Sequence, residues 1–315
     1  MLEQVYQVYE TPLFVVSECP PLSHHIHTFC KNLGVRDIPP FARVTVFQTG
    51  FGEDSGGVQV NCPELGWMQA AKSVNEGWIA FRRLLLQFIL DRERPDVLFH
   101  ASTVCDERGG AGIIMGASGA GKTTATVGLL QAGLSLVADE YTSVSLDTRQ
   151  ICSFPSGMSV SDDTVRLFPE LEPSLHKHCR FRDTNGAQWT VDLSELYSVR
   201  GLNTFAEPAC VFILFPAFGE KTRVEPCTHG EAIWFLQDGF YPRRRRPLWA
   251  RTNPQEYHRR CFALVDHLAQ RTRVYKVFNG KIQDTIAVMA AALRGEQPAL
   301  GGARTTVSVS SSACS

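Results

Sequence analysis

Ile113-Ile114-Met115-Gly116-Ala117-Ser118-Gly119-Ala120-Gly121-Lys122-Thr123-Thr124 decides how the chain is read. An apolar run of β character enters a glycine-rich loop, and the helix-compatible segment Thr124–Gln131 leaves it. Gly116 to Thr123 fits G-x-x-x-x-G-K-[ST] without a gap, the phosphate-binding P-loop or Walker A pattern. Each part has a physical reason. Glycines let the backbone fold into a nest whose N–H groups point at a polyphosphate. The helix opening at Lys122-Thr123 adds its positive dipole end. Lys122 is expected on the β- and γ-phosphates and the Thr123 hydroxyl on Mg²⁺. The expected nucleotide-binding set is therefore Gly116, Ala117, Ser118, Gly119, Ala120, Gly121, Lys122, Thr123 and Thr124, with ATP and Mg²⁺ as cofactors.

Reading outward, the helix closes on Gly133, and a strand, Leu134–Ala138, runs into Asp139-Glu140. A βα unit places the end of its next strand beside the phosphate loop. Two carboxylates there are suited to hold Mg²⁺ and to take a proton from an attacking hydroxyl; a solvated turn is the plain alternative. Upstream, Val97–Val104 reads as one strand and Glu107–Gly110 as the turn into the next. Downstream, Tyr141–Leu146, Ile151–Phe154, Ala209–Phe215 and Arg273–Phe278 read as strands, and Pro254–Leu268 and Asp284–Leu293 as helices. Strands alternating with helices predict an α/β core. Residues 1 to about 70 read as short β segments, Phe14–Val16, Ala42–Phe47 and Gly57–Val60. Turns at Pro39-Pro40, Gly52 and Ser55-Gly56 separate them. A helix follows, with Ser73 and Glu76 as a capping box, Val74, Trp78, Phe81, Leu85 and Phe88 on one face, and Arg94-Pro95 as its end. The expected organisation is a β-rich portion ending in a helix (1–92), a catalytic domain (93–295) and a disordered tail (296–315).

Composition excludes several classes. The 315 residues are 44% hydrophobic and 20% charged, enough for a large core without a metal or disulfide staple. Lys and Arg total 31 against 32 Asp and Glu, a balance that argues against nucleic acid or a membrane surface as partner. The N-terminus lacks the basic start and apolar stretch of a signal peptide, and no apolar run is long enough to span a bilayer. Ten cysteines with no C-x-x-C pair suit a reducing compartment, so the expected location is the cytoplasm. The five tryptophans read as packing residues. His24, His25 and His27 lack neighbouring ligands at metal spacing. Arg243–Arg246 reads either as a solvated loop or as a site for an acidic peptide or the transferring phosphoryl group.

The order of motifs, a His100-Ala101-Ser102 strand, the Walker A loop, Leu136-Val137-Ala138-Asp139-Glu140 and then Val199-Arg200-Gly201-Leu202, resembles the HPr kinase/phosphorylase family. It is closer still to related kinases that accompany peptide natural-product gene clusters. The resemblance is strongest over residues 97–146. It implies a P-loop kinase core of the HPr kinase/phosphoenolpyruvate carboxykinase type with a small β-rich N-terminal portion. It also implies phosphoryl transfer from ATP to a serine hydroxyl. On it, Asp139 matches the catalytic base, His100 the histidine beside the loop and Arg200 the signature arginine; with Lys122 these are the expected catalytic residues. Thr123 and Glu140 are the expected metal ligands. Glu140 stands where the family has a second aspartate, and Ser198 where it has a metal-ligating glutamate; either Glu140 or Glu195 is expected to take that glutamate's place. The elements linked to phosphorolysis are not evident, so neither the reverse reaction nor the HPr substrate is carried over. Family members often form rings, which is compatible with a homo-oligomer here.

The expected function is thus that of an ATP- and Mg-dependent serine kinase acting on a protein or peptide, with a natural-product precursor peptide as the specific case. Two alternatives stay open: a kinase for a small alcohol or free amino acid, and a nucleotide-gated binding or regulatory protein.

Overall fold

Alternation of apolar and polar side chains makes the first sheet. The computed structural model describes residues 1–8, 11–33, 42–48, 57–90, 96–183, 186–216, 221–240 and 248–296. Strands β1 (Leu2–Val8), β2 (Thr11–Ser17), β3 (Ala42–Gln48), β4 (Val58–Cys62) and β5 (Trp67–Ala71) pair in sequence order. Only β2 and β3 run parallel, with helix α1 (Pro20–Cys30) between them in sequence. Val44, Val46, Val58 and Val60 point inward and meet Phe29 of α1 and Trp78, Phe81 and Leu85 of helix α2 (Val74–Leu90) in one apolar cluster. Ser73 Oγ accepts the Glu76 N–H at 3.2 Å, and the Glu76 carboxylate accepts from the Lys72 N–H at 2.8 Å, which fixes the start of α2.

Helix α1 corrects the all-β expectation for residues 1–70. Its buried residues Leu22, His25, Ile26, Phe29 and Cys30 follow helical spacing, with His25 stacked on Trp78 as part of the apolar face. Pro20 and Pro21 sit in the first turn, where a missing N–H costs nothing. Helix α2 ends at Leu90; Arg94-Pro95, the turns at 39–40 and 52–56, the Arg243–Arg246 run and the tail from 297 lie outside the described residues.

The chain continues through β6 (Asp96–Phe99), β7 (Ser102–Cys105), β8 (Gly110–Gly116), α3 (Lys122–Gln131), β9 (Ser135–Ala138), β10 (Thr142–Ser145) and β11 (Ile151–Cys152). Then come β12 (Met158–Ser161), α4 (Asp162–Leu167), β13 (Arg180–Asp183), β14 (Gly186–Val191) and β15 (Phe205–Pro216). The last elements are β16 (Arg223–Pro226), α5 (His229–Asp238), α6 (Leu248–Thr252), α7 (Pro254–Arg271), β17 (Arg273–Asn279) and α8 (Ile282–Leu293). Nine strands form the central sheet along the path β6-β10-β11-β15-β8-β7-β9; β17 lies beside β15, and β16 beside β17. β8, β15 and β17 are parallel. β12, β14 and β13 make a separate antiparallel sheet.

Side-chain alternation sorts the central sheet into two apolar faces. Ile114, Phe212 and Leu214 join α3 and α8 on one, while Ile113, Met115, Val211 and Ile213 join α5 and α7 on the other. The fold is mixed α/β with several sheets and helices on both faces of the largest. The N-terminal apolar cluster also takes in Ala138, Tyr141, Phe154 and Phe181.

Two local findings position the site. The expected strand Val97–Val104 is two strands, broken at His100-Ala101, because β6 pairs with β10 while β7 pairs with β8 and β9. β9 does not lie against β8; antiparallel β7 separates them, so Ser102 starts β7 between the end of β8 and the end of β9. Among the tryptophans, Trp78 is fully buried, whereas Trp234 is 63% exposed and is not a packing residue.

Candidate active site

Close approach of β8 to β15 fixes the entry to the glycine-rich loop. Gly116 has φ +151, and a Cβ there would meet the Leu214 carbonyl oxygen at 2.8 Å, so a side chain does not fit. Gly119 (φ +77) and Gly121 (φ +91) take left-handed conformations that glycine adopts without strain. Gly121 is the N-cap of α3 and caps it with no side chain, leaving the first-turn N–H groups without a side-chain cap. Lys122 Nζ folds back over its own loop, donating to the carbonyls of Gly116 (2.9 Å) and Ala117 (3.2 Å). Asn279 Nδ2, from the end of β17, donates to the Ala120 carbonyl at 2.6 Å. Thr124 and Thr164 share a hydroxyl hydrogen bond of 2.9 Å, which ties α3 to α4.

Facing the loop, Asp139 is buried at the end of β9. Ser102 Oγ donates to its Oδ1 at 2.5 Å, and the Ser159 backbone N–H donates as well. Burial pushes the Asp139 pKa up; the Ser102 bond, the Arg82 and Lys122 charges and the Ser159 N–H oppose that rise. Lys122 is held below its ordinary value by burial, with Asp139 opposing. Glu140 has φ +63, unusual for a side-chain-bearing residue, and the Tyr141 N–H bonds back to the Asp139 carbonyl at 2.7 Å. This tight turn sends the two adjacent carboxylates to different partners: Glu140 forms an ion pair with Arg82 of α2.

His100 occupies the corner between β6 and β7, its backbone N–H donating to the Gly239 carbonyl at 2.9 Å. Burial, and then the charges of Lys122 and Arg82, lower its pKa to about 4, so the imidazole is neutral near pH 7.

These groups surround a cavity of about 640 Å³. Of the residues singled out in the sequence, His100, Ser118, Gly119, Gly121, Lys122, Thr123, Thr124, Asp139 and Glu140 line it. Gly116, Ala117 and Ala120 are not among the lining residues but supply the carbonyls that hold Lys122 and Asn279. Arg200 is not brought to the cavity. Its N–H donates to the Leu136 carbonyl at 2.8 Å, and its charge acts on Cys105, at the opposite end of β7 from Ser102. Glu195 is also elsewhere, paired with Lys31 at 2.9 Å, so Glu140 is the one of the two replacement glutamates at the cavity.

Among the lining residues that escaped sequence reading, Arg82, Ser102, Ser159 and Asn279 bear on the chemistry. Arg82 carried a legible signal, since it follows Trp78 by four positions and so puts a charge beside the apolar face of α2. Ser102 lay in the quoted His-Ala-Ser run, but its partner across the sheet depends on β7 lying between β8 and β9. Ser159 and Asn279 carry no local signal.

Three buried polar atoms on the cavity wall, Arg82 Nε, Ser159 Oγ and Asn279 Oδ1, have no hydrogen-bond partner among the described residues. The side chains that carry them line the cavity from α2, β12 and β17, and a guanidinium donor, a hydroxyl and an amide oxygen with unmet hydrogen-bonding capacity fit a ligand with both acceptor and donor groups, such as a nucleotide. Thr123 and Glu140 offer the oxygen atoms Mg²⁺ prefers. No group of three or more His, Cys, Asp or Glu that could hold a metal ion occurs among the described residues, and Mg²⁺ commonly completes its shell with phosphate and water.

No protein-family model matches the chain, and no curated protein does either. The Hpr(Ser) kinase/phosphatase from Coxiella burnetii is among the solved structures that match. It is 12% identical, with 63% of this chain and 94% of that chain covered, and a TM-score of 0.29. That is a weak likeness. It decides neither the chemistry nor the details of the fold, so the functional reading rests on the site itself. No helix among the described residues is long and apolar enough to cross a membrane.

Proposed function

We propose that the protein is an ATP- and Mg²⁺-dependent phosphotransferase that phosphorylates a serine hydroxyl in a peptide or protein. One observation carries the reading: a glycine-built phosphate loop and a buried carboxylate face the same cavity, with Lys122 near both.

In this reading the loop N–H groups and the start of α3 hold the phosphates, and Lys122 exchanges its bonds to Gly116 and Ala117 for phosphate oxygens. Mg²⁺, held by Thr123 and Glu140, would offset charge on the phosphates. The acceptor oxygen forms a bond to the γ-phosphorus as the bond to the bridging oxygen of ADP breaks, and the acceptor proton passes to Asp139. Ser102 and the Ser159 N–H orient Asp139 and favour its ionised form, while burial raises its proton affinity towards the range a base needs. Neutral His100 adds no charge of its own beside Lys122 and Arg82. Arg200 has no part in this reading, since it does not line the cavity.

ADP release from ATP and Mg²⁺, screened over serine-containing peptides, free serine and small alcohols with products weighed for an added phosphoryl group, tests the proposal. A peptide-dependent signal that requires Lys122 and Asp139 supports it. A signal with free serine or an alcohol alone moves the acceptor to small molecules. Tight nucleotide binding with no acceptor-stimulated turnover replaces the kinase with a nucleotide-gated binding protein.

A further inference from the structure

Phosphoryl transfer places charge on the equatorial oxygens of the moving group, and one lysine rarely offsets it alone. Among the described residues, Lys122 and Arg82 are the lysine and arginine side chains that line the cavity. The two come from opposite ends of the sequence logic: Lys122 from the phosphate loop, Arg82 from the helix that closes the N-terminal portion.

Arg82 is built into place. Its guanidinium lies 5.9 Å from the ring centres of Phe29 and Trp78 and 5.7 Å from that of Phe181, rings supplied by α1, α2 and β13. Its side chain is only 13% exposed and pairs with Glu140, yet its buried Nε has no hydrogen-bond partner among the described residues. Burying a guanidinium against one carboxylate contributes little to stability, so a purely structural role accounts poorly for it. Its charge also acts on both Asp139 and His100, which places it over the part of the cavity where the base stands. A planar cation already clamped by rings loses little freedom on gripping a phosphate.

We propose that Arg82 contacts the terminal phosphate of the bound nucleotide, with Glu140 as its partner before nucleotide arrives. This rests on the nucleotide-binding reading of the cavity. It makes the N-terminal portion part of the active site and gives the cavity a means of telling a triphosphate from a diphosphate.

The test is the affinity of the full chain for ADP and for a non-hydrolysable ATP analogue, measured by calorimetry for the unaltered protein, Arg82→Gln and Arg82→Lys. Melting curves identify folded variants. The expected result for Arg82→Gln is a roughly 10- to 100-fold loss for the triphosphate analogue with ADP changed by less than about threefold. Arg82→Lys should fall between, because it keeps the charge and loses the planar fork. Should Arg82→Gln fail to fold, Arg82→Lys and Glu140→Gln decide. With metal chelated, Glu140→Gln frees the arginine and should strengthen triphosphate binding relative to ADP. Equal effects on both nucleotides in the folded variants overturn the role of Arg82 while leaving the nucleotide site standing. An unaltered protein that binds neither nucleotide overturns the reading beneath it.

Discussion

Two walls face the cavity and are held by different physics. The wall of β8, α3 and β9 is local: glycine conformations, a helix start and a strand end place Lys122 and Asp139 within one short stretch of chain. The wall contributed by α2 is remote. Arg82 stands where it does because rings from α1 and β13 close around it and because Glu140 turns away from Asp139. A local wall keeps its shape as long as its backbone is intact. A remote wall keeps its shape only while the core behind it is packed.

The contrast is most exposed to test at Asp139. Asp139→Asn should lower transfer by about 10²- to 10⁴-fold while nucleotide affinity stays within a few-fold, read from single-turnover kinetics beside calorimetry. Equal losses in both would make Asp139 a phosphate-site residue and erase the division of labour along the local wall. Next comes the core behind the remote wall. Trp78 is fully buried and touches His25, Phe29, Phe81 and Phe181, so Trp78→Ala should cost about 3–5 kcal/mol in urea unfolding. In protein that remains folded, it should weaken triphosphate preference more than ADP binding. Unchanged preference would show that Arg82 does not depend on its aromatic clamp.

His100 sharpens the comparison through pH. Its folded pKa of about 4 lies below the ordinary 6.5, so the unfolded chain binds more protons between those values. Stability from this group is complete above about pH 6.5 and is lost as pH falls towards 4, by at most about 3 kcal/mol. His100→Gln should flatten that part of the stability–pH curve in urea melts at pH 7 and pH 4.5; an unaltered slope would assign it to other groups. The smallest effect is expected at Arg200. Ser102 and Cys105 are about 10 Å apart along β7, and Arg200 acts at the Cys105 end. Arg200→Ala should therefore change transfer by less than about threefold, and a large loss in steady-state assays would return it to the site.

Much of the two larger sheets was readable from the sequence because each strand is a short apolar run between turn signals. Ala42–Phe47, Ala209–Phe215 and Arg273–Phe278 all fall inside observed strands. Helix α1 escaped because its buried face includes a histidine, which counts as polar in a sequence but stacks on Trp78 here. Helix α5 escaped although Thr228 and Glu231 form a full capping box, because only Ala232 and Leu236 are buried along it. The break at His100 was invisible because no glycine or proline interrupts Val97–Val104; it arises from strands pairing on different paths of the sheet.

The sequence by itself determined the glycine-rich loop, the helix that follows it and the placing of a carboxylate at the end of the next strand. Those depend on backbone conformation and on neighbours a few residues away, which a linear pattern records. Only the tertiary structure decided that β7 runs between β8 and β9, that Ser102 holds Asp139, that Arg82 enters the cavity and that Arg200 stays out of it. Each of these depends on which distant segments pack together, and packing is set by the summed burial of many side chains rather than by any spacing along the chain.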